Sequence, residues 1–203
     1  IDNYRDFALY FQDEDNILGT SFMPYLQNVA GLTGVNYRLE PWSYREDEGC
    51  ELGNMFTACV AADSDPATPT IKAHAGDNIM INVFGAHNEQ NQMFNVDGHQ
   101  WRRHLNQENS DMIDVEEFGG GEYIQAFFNA GGTYKNPGTY LWLDARTPYQ
   151  QAGQWGYLKV LPAGDRSILP LGKATVKGVK TASQPDEEEK SASKTEDDKL
   201  SMR

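Results

Sequence analysis

Residues 78–84 read NIMINVF, and the period of this stretch decides how the rest of the chain is read. Ile79, Ile81 and Val83 fall on one face, which is the spacing of a half-buried strand and not of a helix. Residues 4–12, YRDFALYFQ, repeat the pattern with Phe7, Leu9 and Phe11 on one face. Further strands are expected at 35–39, 70–73, 92–96, 123–128, 139–144 and 156–161, giving about eight short strands. The turn signals HAGDN, FGGGE, NAGGT and KNPGT separate them, and no long helical periodicity intervenes. That arrangement predicts an all-β, antiparallel sandwich with Greek-key connections. Segments 19–34 and 40–69, rich in Gly, Asn, Asp and Pro, read as long loops with room for one helical turn.

Composition limits the function classes. The 203 residues are 39% hydrophobic and 11% aromatic, enough for one sizeable core with appendages. A formal charge of -13 disfavours nucleic acid and anionic membrane surfaces and suits cations or basic partners. No apolar run approaches the roughly 20 residues of a spanning helix. The chain begins at Ile1 without a signal-like segment, so a processed, trimmed or excerpted product is expected. After Pro162 the composition shifts. Residues 163–180 read as a linker or arm, and residues 181–203, which carry the DEEE and EDD runs, as a disordered, acidic, solubilising tail. The body is therefore residues 1–162, divided into N-terminal strands and long loops (1–69) and a motif-bearing half (70–162).

Two cysteines, Cys50 and Cys59, lie in the loop sequence GCELGNMFTAC. A disulfide between them is expected and implies an oxidising compartment, with two buried thiols as the other reading. A zinc pair is weaker, because the histidines are only His74, His87, His99 and His104 and no Cys-x-x-Cys is present.

The run DPATPTIKAHAGDNIMINVFGAHNEQNQMFNVDGHQW, followed by FGGGEYIQAFFNAGG and NPGTYLWLDARTPYQQAGQWGYLKV, resembles a cupredoxin domain of the multicopper oxidase superfamily. NYRLEPW before DPATP makes it most similar to the large multidomain members associated with manganese oxidation. The resemblance covers roughly residues 4–162 and implies a cupredoxin-like Greek-key sandwich. It also locates the family's copper ligands. With Gly98–His99 laid on the family's Gly-His, Gln92, Asn95 and Asp97 take three ligand positions, and His99 takes a position that is not a direct ligand. Leu143, Asp144 and Ala145 take the His-Cys-His positions, Tyr149 the next His and Gln154 the axial position. All of these differ from the ligands. The sequence also has no cysteine after Cys59 and no histidine after His104, whereas a blue copper site needs a thiolate and an imidazole near the last strands. Neither a type 1 centre nor a trinuclear cluster is expected. Phe94, Val96 and Trp101 are expected in the core, Asn95 and Asp97 in hydrogen bonds, and Arg102 and Arg103 in pairs with the acidic loop 111–117.

Other chemistries have weaker signals in the sequence. His99 and His104, with Glu108, Asp111 or Asp114, offer a mixed imidazole and carboxylate site for a divalent cation, against the reading that His99 packs or caps and His104 is exposed. FGGGE lacks the Lys-Ser/Thr of a phosphate loop, and no Gly-x-Ser-x-Gly elbow exists. Glu116 and Glu117 give no distinctive glycosidase signal. Tyr149 and Trp155 are the aromatics to inspect for sugar stacking, with burial in the core as the competing reading.

The expectation is thus a structural domain with no cofactor of its own, belonging to or accompanying a multicopper-oxidase-like oxidoreductase that holds copper in neighbouring domains or subunits. The chain alone is not expected to be catalytic. Expected partners are other cupredoxin domains or subunits and divalent cations, with neither nucleic acid nor a membrane span, in an extracytoplasmic setting. The alternative is a free-standing secreted binding or assembly module.

Overall fold

The structure, a computed structural model, describes residues 3–13, 33–47, 49–56, 65–88 and 90–172. The expected disordered tail 181–203, segment 19–32, Cys59 and the second part of the linker lie outside the described residues. Among those described, eleven strands form two main sheets and a small ribbon. The first sheet runs β2 (Gly34–Val35), β1 (Arg5–Asp13), β4 (Asn78–Asn88) and β9 (Tyr123–Asn129). The second runs β3 (Ile71–His74), β11 (Trp155–Leu161), β10 (Gly138–Asp144), β5 (Gln92–Val96) and β8 (Val115–Phe118). β6 (Trp101–Arg102) and β7 (Met112–Ile113) make the ribbon. Pairing is mixed: β1 runs parallel to β4 and β3 parallel to β11, while the other pairs are antiparallel. The expectation of a purely antiparallel sandwich is corrected to that extent. Among the described residues, no helix is long and apolar enough to cross a membrane, which says nothing about membrane crossing by strands.

Alternation does in three dimensions what the sequence suggested. Leu9 and Phe11 of β1, Ile79, Ile81 and Val83 of β4, and Ala126 and Phe128 of β9 meet Ile71, Ala73, Phe94, Val96, Trp142, Leu158 and Val160 of the second sheet in one buried cluster. Phe11 shows how the layers interlock: its ring is edge-on to Phe94, Phe118 and Trp142, at 6.1, 5.3 and 6.2 Å between centroids. The close approach of β10 and β11 requires Gly156, where a Cβ would stand 2.3 Å from the Trp142 ring. Phe94, Val96 and Trp101 are fully buried, as expected.

Several expectations differ. Segment 35–39 is a strand only at Gly34–Val35, because Asn36 and Tyr37 turn into positive φ. Asn36 tolerates that conformation and continues the pairing with its side chain, donating to Ala8 O and accepting from Tyr10 N. Part of segment 40–69 packs on the body, and the helical turn it had room for is present. Helix α1 (Trp42–Asp47) and the turn after it cover the outer face of β10 and β11, where Trp42 and Phe56 pack on Leu141, Leu143, Trp155 and Tyr157. Buried Arg45 fastens this cover, lying 4.8 Å above the Trp155 ring and donating to Glu40 Oε1. Residues 163–172, of the segment read as a linker or arm, lie on the body: Arg5 donates to Leu169 O, and His74 bonds to Asp165 O. Within the acidic loop 111–117 the chain forms β7 and begins β8. Arg102 does not pair with its carboxylates but donates to the carbonyls of Glu108 and Ser110.

Candidate functional site

Three inward-facing stripes end in a polar residue at the same end of the sandwich. In β1 the order is Phe7, Leu9, Phe11, then Asp13; in β10 it is Tyr140, Trp142, then Asp144; in β5, Gln92 precedes Phe94 and Val96. Period-two geometry therefore places Asp13, Gln92 and Asp144 together at the core's rim, where all three are buried. Helix α2 (Thr147–Ala152) and its exit supply the other two members. Pro148 sits in its first turn, and Gly153 ends it at φ 115°, where a Cβ would strike Glu40 N at 2.6 Å. The chain thus turns back so that Tyr149 and Gln154 are buried beside Asp144.

The polar atoms of this cluster are only partly matched. Gln92 Nε2 donates to Asp13 Oδ2 at 3.4 Å, the Tyr149 hydroxyl hydrogen-bonds to Asp13, and Gln154 Nε2 donates to Gln12 O at 2.9 Å. Asp144 Oδ1 accepts from the Arg146 and Met93 amides, at 2.7 and 3.3 Å. Gln92 Oε1, Asp144 Oδ2 and Gln154 Oε1 are buried and have no partner. Burial pushes the Asp144 carboxyl up to about 7, against the opposing pull of its two amide donors. Burial, then the bond to Asp13, pushes the Tyr149 phenol up to about 12. The Arg146 guanidinium lies 4.8 Å over the Tyr149 ring and donates to Asn91 O and Gln90 Oε1.

The opposite end of the sandwich is complete by contrast. His99 is buried, its Nδ1 bonded to Asp97 O at 2.7 Å and its Nε2 accepting from Gly131 N at 3.0 Å. Its ring packs 4.8 Å from both Phe128 and Tyr140. Burial holds its pKa below the usual imidazole range. With both nitrogens engaged, His99 has no lone pair for a cation, and His104 is exposed with its backbone amide bonded to Ser110 Oγ. A cleft of about 840 Å³ opens beside His99, between Asn95, Asp97, Arg102, Phe127 and Thr133. Its volume alone does not make it the chemical centre, because unmatched buried atoms mark the other end.

Of the eight positions matched to copper ligands, the fold gathers Gln92, Asp144, Tyr149 and Gln154. Leu143 faces outward into the Trp42 and Trp155 cluster; Asn95, on the alternate face of β5, donates to Asp114 O; Asp97 and Ala145 are exposed. Sequence reasoning missed Asp13, which lies 79 residues before Gln92 and carries no local motif. The signal available was the inward stripe of YRDFALYFQ extended by one step. Tyr149 and Trp155 are buried, which removes them as a sugar platform.

No family model matches the sequence, and no curated relative does. Solved structures do match. A multi-copper oxidase from Pediococcus acidilactici is 8% identical with a TM-score of 0.51, over 84% of this chain and 29% of that one. A multicopper oxidase from Campylobacter jejuni, titled a metallo-oxidase, is 11% identical with a TM-score of 0.51, over 79% and 31%. The fold is that of a cupredoxin. These identities establish the architecture alone, and this cupredoxin-like chain spans less than a third of the length of either protein.

Cupredoxin folds imply copper, so the residues must be tested against it. Copper of the blue type takes a thiolate, two imidazoles and a weak axial donor. Here the converging side chains are two carboxylates, two amides and a phenol, all of them hard oxygen donors. They do not fit a blue copper centre. Among the described residues, no group of three or more His, Cys, Asp and Glu is placed to hold a metal.

Proposed function

We propose that this cupredoxin-like domain is a copper-free structural part of, or companion to, a multicopper-oxidase-like oxidoreductase. The observation that carries the reading is the donor set: Gln92, Asp144, Tyr149 and Gln154 stand where the resemblance places ligands, and none offers sulfur or imidazole. Electron transfer to dioxygen then belongs to copper in neighbouring domains or subunits. In the finer form of the reading that chemistry is metal-ion oxidation of the manganese type, and the charge of -13 concentrates the cationic substrate nearby. A neighbour also finds a face here. Tyr10, Phe84 and Tyr123 form a row on the outside of the first sheet, with centroids 4.7 and 4.9 Å apart, and Tyr10 and Tyr123 are exposed.

The setting in this reading is extracytoplasmic. The reading pairs Cys50, which is buried, with Cys59, so digestion without reductant is expected to yield a linked peptide; two thiols alkylated without reductant would contradict this. The function itself is tested by metal analysis and visible spectroscopy of the purified chain. Traces of copper and no thiolate charge-transfer band are expected. Near-stoichiometric copper with an intense blue colour would overturn the proposal.

A further inference from the structure

We infer that Asp13, Gln92, Asp144, Tyr149 and Gln154 form an oxygen-lined site for a hard divalent cation of calcium's class, at the end of the sandwich where the resemblance places copper ligands. The inference rests on the copper-free reading above and gives the rebuilt locus a ligand. Three observations on independent elements converge. Asp13, Gln92 and Asp144 end inward stripes on three strands, and Tyr149 and Gln154 close the group from α2 and its exit. Gln92, Asp144 and Gln154 are fully buried, and each keeps one oxygen without a partner. The amide nitrogens of both glutamines are already spent, on Asp13 and on Gln12 O. The oxygens left over are therefore fixed as oxygens, not interchangeable with NH₂.

Three buried unmatched acceptors call for a positive group. With Asp144 ionised, one water has only two hydrogens and cannot serve all three, and the Arg146 guanidinium is committed to Asn91 and Gln90. A cation satisfies all three at once and also draws the carboxylates of Asp13 and Asp144 together. Five residues supply five oxygens, and Asp13 binding through both of its own brings the count to the lower end of the six to eight typical of calcium, while Asp144 contributes Oδ2 alone because its Oδ1 accepts from two amides. Sealing from solvent disfavours magnesium, which keeps several waters and demands near-ideal octahedral geometry.

The experiment uses the full chain, stripped with chelator at pH 8 and titrated with calcium chloride alone and, separately, magnesium chloride alone, by calorimetry and thermal unfolding. Calcium is expected to bind one per chain and raise the unfolding temperature. Asp144→Asn is expected to weaken it by at least about tenfold, because a charged ligand is lost. An equal calcium response in Asp144→Asn would place binding on the acidic surface and overturn the inference, as would no response in the parent chain. A magnesium response as strong as calcium's would overturn the assignment of class. Should Asp144→Asn fail to fold, Gln154→Met takes its place with the same two outcomes. Copper at this locus would defeat the proposed function as well; indifference to calcium without copper defeats this inference alone.

Discussion

The two ends of the sandwich each bury polar side chains, yet they are finished differently. At the His99 end both ring nitrogens meet backbone partners and two aromatic rings enclose the imidazole. At the Asp144 end three oxygens remain unmatched under complete burial. A buried polar group with every bond made stabilises a fold; one left short costs about 1–3 kcal/mol and marks a place that expects something more. The difference separates a histidine that builds structure from a cluster that holds a ligand.

The largest expected break in this comparison is His99→Ala. It removes a packed ring and strands the Gly131 amide, and should cost about 3 kcal/mol in chemical denaturation at pH 7. A loss below about 1 kcal/mol would deny His99 its structural role. The pH dependence sharpens the point. His99 has a folded pKa below its unfolded value, so its contribution is present above about pH 6.5 and fades as pH falls. His99→Ala should therefore hurt less at pH 5 than at pH 7.

Asp144 carries the opposite sign. Its folded value of about 7 lies above the unfolded 3.8, so its contribution is full below the unfolded value and is lost as pH rises through 7. The full shift corresponds to roughly 4 kcal/mol, and relaxation of the site should reduce this to about 2 kcal/mol. In chelator-treated protein Asp144→Asn should stabilise by that amount at pH 8 and by little at pH 4; a flat difference across the range would refute the buried-carboxyl account. Tyr149→Phe, which deletes the hydroxyl bonded to Asp13, should cost about 1 kcal/mol. Arg102→Ala, losing only exposed bonds to carbonyls, should stay below about 0.5 kcal/mol in the same assay.

Much of this architecture was legible, and the reasons are specific. NIMINVF and YRDFALYFQ announce their buried faces because a period of two is unambiguous when one side is Ile, Val and Phe. TPYQQA hid a helix of six residues, too short for a helical period to show, although Pro148 and Gly153 bracket it. VEEF hid β8 because Glu116 and Glu117 suggest solvent, whereas Glu117 pairs across from Met93 and Glu116 reaches the Trp101 indole. Four members of the polar cluster were named as ligand positions only through a resemblance, and Tyr149 otherwise only as an aromatic ring. The stripe of YRDFALYFQ extends to Asp13, but its role was not legible because its partners arrive through strand pairing, not through spacing along the chain.

The most direct measurement is X-ray diffraction recorded on both sides of the copper absorption edge, from crystals grown with copper and calcium together. The account predicts no copper signal between Gln92, Asp144, Tyr149 and Gln154, and an ion there bound only by oxygen at about 2.3–2.6 Å. A copper peak enclosed by those four residues would contradict it.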